Sequence, residues 1–317
     1  MSEQRASIGR VTAAIVAVAA MLPYLTLKVL WLTGSSIGTT DPRLLNDSAM
    51  IGLNAMTFGM EAVGLMLALA FTTRWGLRLP AWLVLLPLWV GTGLLSVVIV
   101  TVPIMLLAGG LSVFETGGPI EPWIYMMVYS GFIVQGAGLM TAFVLYSRDR
   151  WPAVFTTRID HAFAGPTREF QTVVAWGALL VAVPIGVVKL PGGIQECVEG
   201  MLAIAGAVAL VLMVRRRGRG PFWLPLVVAW LGSGSLFSGG LYAMIIASVR
   251  APLGTPGSDL AELFGMLTGL VMGMCGAFLL AERWAAGSGV RDVQPVEHAL
   301  EGVERERDRQ AADDGHR

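Results

Sequence analysis

The sequence predicts an all-α membrane protein: eight transmembrane helices built as two tandem four-helix repeats in parallel orientation, with both termini cytoplasmic. Three observations lead there. Of the 317 residues, 55% are hydrophobic and 14% charged, where soluble domains carry about 25% charged residues. The apolar residues gather into eight runs of about 20, the length that crosses a hydrocarbon core of roughly 30 Å. One stretch of the chain also recurs in register 141 positions later.

The runs cover residues 11–32, 50–72, 81–107, 122–147, 171–190, 197–214, 222–248 and 260–282. Span 1 follows the short polar segment MSEQRASIGR and carries Pro23 and Lys28; it ends in WLTGSS without a small-x-small cleavage site, so it reads as a retained helix rather than a signal peptide. The turn segment TGSSIGTTDPR leads to span 2, which holds Glu61, and TTRWGLRLP leads to span 3. AGG and TGGP precede span 4, where Gln135 reads as an interhelical hydrogen bonder. A polar loop at 148–170 separates the halves. Span 5 ends in Pro184 and Lys189, PGG follows, and span 6 opens with Glu196 and Glu199. RRRGRGP and APLGTPGSD bracket span 7. Asp259 and Glu262 have the spacing of a capping box at the start of span 8, whose Gly265, Gly269 and Gly273 form one smooth face for close helix contact. From about Ala285 the chain is charged, with VEHALEGVERERDRQ as a disordered segment or marginal helix. The organisation is therefore residues 1–150 as the first repeat, 151–284 as the second, and 285–317 as a cytoplasmic tail.

Arginines set the orientation. Arg5 and Arg10, then Arg74 and Arg78, then Arg148, Arg150, Arg158 and Arg168, then Arg215, Arg216, Arg217 and Arg219 all fall on one side, leaving Arg43 and Arg250 in the opposite loops. The positive-inside rule puts the arginine-rich side, the N-terminus and the tail in the cytoplasm.

The duplication rests on RWGLRLPAWLVLLPLWVGTGLL, residues 74–95, which lines up without gaps on RRRGRGPFWLPLVVAWLGSGSL. Pro80 meets Pro221, Trp82 meets Trp223, Trp89 meets Trp230, Gly91 meets Gly232 and Gly93 meets Gly234. General hydrophobicity does not place these residues in one register. Pro23 and Lys28 recur more weakly as Pro184 and Lys189, a Pro-x4-Lys pattern, and the last spans end alike in TAFVLYSRDRW and GAFLLAERW. A repeat with an even number of spans inserts both copies the same way, giving a pseudo-two-fold axis along the membrane normal. The Trp-x-Gly-[Thr/Ser]-Gly segments have no preceding strand and no following lysine, so they read as close packing near that axis rather than as phosphate loops.

The residues singled out as substrate-binding candidates are Lys28, Glu61, Lys189 and Glu199. The chain has two lysines against twenty arginines, and both occupy the repeated position. A lysine at a helix centre costs about 2.5–3.5 kcal/mol on insertion scales. Two readings stay open: snorkelling to the outer interface, or an ammonium facing a cavity and binding an anionic group. Glu61 sits near the middle of span 2 and must face the bundle interior, where Lys28 on the neighbouring antiparallel span is within range. Either a structural pair or a substrate or proton site fits. Glu196 and Glu199 lie nearer the boundary, with exposure as the default. No catalytic residue, metal ligand set or cofactor motif is visible: Cys197 and Cys275 form no CxxC pattern, and His161, His298 and His316 fall in a loop and the tail.

PYLTLKVLWLTGSSIG resembles the Pro-x4-Lys-x2-Trp-x2-Gly pattern near the start of uncharacterised multi-spanning integral membrane proteins of high-GC bacteria, a composition the arginine-over-lysine bias and Ala/Gly/Val-rich spans also suggest. The resemblance implies a multi-pass protein of the bacterial inner membrane and no named activity. In the second half Lys189 is retained while the tryptophan is missing.

Three function classes follow. A pseudo-symmetric small-molecule transporter or ligand-binding membrane protein would take a small anionic or amphiphilic ligand from water or the bilayer. A non-transporting interaction or sensory subunit would meet a cytoplasmic protein partner through the tail. A membrane-embedded enzyme would need a motif such as HExxH or GxSxG, which the sequence lacks. A net charge of zero gives no support to nucleic-acid binding.

Overall fold

A computed structural model describes residues 7–73, 75–115, 117–160, 167–249 and 260–282. The tail expected at 285–317, the loop around His161 and the proposed cap residue Asp259 lie outside the described residues. Among those described, the protein is helical with no strand, and eight helices are long and apolar enough to cross a membrane. They are α1 (Ile8–Leu32), α2 (Ser48–Thr72), α3 (Ala81–Gly109), α4 (Pro122–Arg150), α5 (Arg168–Lys189), α6 (Ile194–Arg215), α7 (Trp223–Ser248) and α8 (Leu260–Glu282). The protein is an integral membrane protein. Leu107, Leu180, Val188 and Val173 stand more than two-thirds exposed on its outer surface, an apolar belt that water would not tolerate and lipid satisfies.

Local chemistry fixes the helix ends. Ser7 accepts from the backbone N–H of Arg10, and Asp47 accepts from Ala49 and Met50, so both caps hold orphan amides at the starts of α1 and α2. Pro122 opens α4 at a position where its missing N–H costs nothing. Arg216 closes α6 in a left-handed conformation, φ 55°. Pro23 and Pro184 lie inside continuous helices, α1 and α5, each five residues before a lysine. The end of the segment TGSSIGTTDPR opens a short helix that its turn residues do not announce, Pro42–Leu45, capped by Asp41.

The helices build two main cores. One joins α1 to α4 around Met21, Phe71, Leu88 and Tyr146; the other joins α5 to α8 around Leu210, Met213, Phe222 and Met272. Small residues allow the tight crossings. Gly138 on α4 lies against the backbone of Ala13 and Ala17 on α1, and Gly186 on α5 against Gly200 on α6. The glycine face of α8 packs as expected: Gly269 meets Ser233 and Phe237 of α7, and Gly273 meets the Trp89 indole of α3.

The two cores meet along α3 and α7. Trp89 donates its indole N–H to Ser233 Oγ at 3.0 Å, and Trp230 donates to Thr92 Oγ1 at 2.9 Å. Between these bonds the backbones touch: a Cβ on Gly93 would lie 2.3 Å from the carbonyl carbon of Gly234. On one face of the bundle, the loop after α1 is zipped to the loop before α4 by Thr40 N–H to Pro119 O and Glu121 N–H to Gly38 O, both 2.9 Å. On the other face, Tyr146 OH donates to Gly76 O at 2.9 Å, and Arg150 Nη2 to Leu79 O at 2.5 Å.

Candidate functional site

Beside the hydroxyls of the α3–α7 crossing, two clusters of charged and amide side chains stand within the spans. The first lies among α1, α2 and α4. Lys28 is 7% exposed, and its ammonium donates to Asn54 Oδ1 at 2.7 Å. Helical spacing places Tyr24 one turn before it and Trp31 one turn after, so the ammonium stands 4.8 Å and 4.9 Å from their ring centroids. Both rings turn an electron-rich face to the cation. Trp31 is itself held by an indole bond to Ile37 O at 2.9 Å, which ties the cage to the loop after α1. Tyr24 rests edge-on against Phe132 of α4, with centroids 5.2 Å apart.

Glu61 lies two helical turns beyond Asn54 on α2, and both are buried. Its Oε1 accepts from Gln135 Nε2 of α4 at 3.1 Å. Gln135 is therefore the interhelical bonder its position in span 4 suggests. No hydrogen bond or ion pair joins Glu61 to Lys28 among the described residues. Each charged group is met by a neutral amide instead: Asn54 for the ammonium, Gln135 for the carboxylate. The first turns of α4 add a run of aromatic rings, with Tyr129 stacked on Tyr125 at 6.5 Å and on Phe114, which follows α3, at 6.1 Å.

The second place lies among α5, α6 and α8. Lys189 Nζ sits 2.8 Å from Glu199 Oε2 and 3.2 Å from Glu262 Oε1, while Gln195 donates to Glu199 Oε1 at 3.0 Å. These three charged side chains are about one-fifth exposed. A cavity of about 10 Å³ opens beside them, lined also by Ile185, Ser235 and Gly239. That is room for one water molecule and not for an organic ligand.

The four sequence candidates thus separate. Lys189 and Glu199 form a direct ion pair; Lys28 and Glu61 share one helix cluster without pairing. Glu196 is exposed and takes no part. Sequence reasoning missed three partners. Asn54 stood near the start of an apolar run, where a polar residue looks like a boundary. Glu262 read as one half of a cap. Tyr24 was hidden in a hydrophobic stretch; its i, i+4 spacing to Lys28 was the available signal. Cys197 and Cys275 are free thiols, and no group of His, Cys, Asp and Glu among the described residues has the arrangement to hold a metal ion.

Comparison of the chain with protein-family models, curated proteins and solved structures gives no match.

Proposed function

We propose that this chain is a pseudo-symmetric small-molecule transporter or ligand-binding membrane protein of the bacterial cell membrane, and that Lys28 engages a small anionic or amphiphilic ligand. The observation that carries the reading is the partnering of Lys28. A buried lysine kept for structure gains most from a direct carboxylate partner, and Glu61 stands two turns from Asn54 on the same helix. Lys28 instead has one neutral acceptor and two aromatic faces. An ammonium has three N–H donors, so capacity remains for an anion.

Two pairs of contacts support a repeat of two parallel four-helix halves, residues 1–150 and 151–284. Trp89 and Thr92 map onto Trp230 and Ser233 at the offset of 141. The bonds Trp89–Ser233 and Trp230–Thr92 are then symmetry mates, as in an isologous interface. Arg10 and Lys28 map onto Gln171 and Lys189 at an offset of 161. Arg10 pairs with Asp149 at 2.6 Å near the start of α1, and Gln171 bonds Glu282 at 3.1 Å near the start of α5. The aligned ends SRDRW and AERW make Asp149 and Glu282 counterparts. The arginine distribution favours cytoplasmic termini.

The test is thermal unfolding of the purified protein over a panel of small carboxylates, phosphate and sulfate, followed by uptake into vesicles. One class of anion should stabilise the protein, by about 2.7 kcal/mol at a concentration 100-fold above Kd. The shift should vanish in Lys28→Met and persist in Lys189→Met. If no anion shifts the transition, or if Lys28→Met responds like wild type, the reading fails.

A further inference from the structure

Two buried oxygen atoms at the centre of the first cluster have no hydrogen-bond partner: Glu61 Oε2 and Gln135 Oε1. They belong to the two side chains already joined by Gln135 Nε2–H to Glu61 Oε1, and these are 6% and 5% exposed. An ionised carboxylate only accepts, and an amide oxygen only accepts. The two orphan atoms therefore cannot satisfy each other, and each carries the penalty of a buried unmade bond, about 1–3 kcal/mol or more for a charged group.

We propose that Glu61 and Gln135 form a proton-binding site, in which a proton on Glu61 Oε2 donates to Gln135 Oε1 and closes an acid–amide ring with the existing bond. One proton satisfies both orphan atoms at once. The step is a simple balance: the carboxylate takes up one proton, becomes a neutral acid, and no other bond breaks.

The surroundings leave few other donors. On α2, Glu61 is the sole titratable side chain, and the hydroxyl of Thr57 one turn away donates to Leu53 O. On α1 the Lys28 ammonium bears on Glu61 electrostatically but gives its hydrogen bond to Asn54; Tyr24 is the other titratable group of α1 on this side. The titratable and charged groups of α4 are Tyr125 and Tyr129 on one side of Gln135 and Tyr146, Arg148, Asp149 and Arg150 on the other. α3 carries no titratable side chain. A hard metal cation is a poor fit, because it takes about six oxygen ligands and this pair offers two free ones.

The site does not depend on the ligand proposed at Lys28. Infrared difference spectroscopy of the vesicle-reconstituted full chain, with protons as the probe, tests it. Moving from mildly alkaline to mildly acidic buffer should raise the C=O stretching band of one protonated carboxylic acid. Carbon-13 labelling of glutamate should shift that band in the wild-type protein, which requires no variant to fold. Glu61→Gln should remove it. Gln135→Leu should move it to higher wavenumber, since the acid loses both the N–H on its carbonyl oxygen and its acceptor, and Glu61→Asp should keep a band at an altered position. A spectrum in which Glu61→Gln matches wild type overturns the site, and a band unmoved in Gln135→Leu overturns the ring. Either result leaves anion stabilisation at Lys28 intact, so the two proposals fail separately.

Discussion

Trp89 of α3 donates to Ser233 of α7, and the bond is returned from Trp230 to Thr92, so each helix supplies one indole and one hydroxyl to the same crossing. Trp89→Phe and Trp230→Phe each remove an indole N–H, about 1 kcal/mol, and part of a ring, so the loss should be larger at Trp89, which is buried against Gly273, than at the half-buried Trp230. Gly93→Ala should cost about 1–3 kcal/mol, because its Cβ would fall 2.3 Å from a backbone carbon. Reversible unfolding in mixed micelles gives all three values. A Gly93→Ala protein as stable as wild type would mean the backbones do not touch.

Lys28 and Asn54 should behave as a coupled pair. Lys28→Met leaves Asn54 Oδ1 buried without a donor, a loss of about 1–3 kcal/mol, and Asn54→Leu strands the ammonium at greater cost. The double substitution removes both polar groups and should recover most of the stability, a coupling energy that a double-mutant cycle measures. Strict additivity of the two single effects would argue against a shared bond.

Lys189 should be the more forgiving lysine. Its partners are partly exposed, and pairs of that kind contribute about 0–1 kcal/mol and weaken in salt. Lys189→Met is expected to destabilise less than Lys28→Met, with a cost that depends on ionic strength. Because one cation faces two carboxylates, Glu262→Gln should be close to neutral, leaving a balanced pair. Equal, salt-independent losses for both lysines would contradict the contrast.

Orientation is open to labelling. In a background of Cys197→Ser and Cys275→Ser, a membrane-impermeant thiol reagent added to intact cells should modify Thr40→Cys. It should reach Thr157→Cys only after permeabilisation. The reverse pattern would invert the proposed topology.

Much of the fold was legible because a membrane writes it in hydropathy. All eight expected spans coincide with α1 to α8, with ends differing by a few residues. One end moved for a polar reason. α4 continues through Arg148 to Arg150 because Arg150 finds carbonyl acceptors at Gly76 and Leu79, contacts that sequence spacing does not reveal. The Trp-x-Gly-x-Gly segments were read as a packing crossing because their residue types permit close approach, and Gly93 does lie on Gly234. The site was legible only in part. Lys28 and Glu61 stood out as charges in apolar runs; which neighbours they chose was not, since that depends on helix rotation. Glu199, expected to be exposed, is drawn in by Lys189.

Thr92 Oγ1 also donates to Leu88 O at 2.7 Å, and Ser233 Oγ to Trp230 O at 3.2 Å. Ser96 and Ser238, further along the same helices, donate to Gly93 O and Gly234 O. The hydroxyl protons of Thr92, Ser96, Ser233 and Ser238 are thus spent inside the protein, and the two indole protons with them. The crossing is a dry seam. A file of water along these four hydroxyls and two indoles would find no free donor to follow between the two cores.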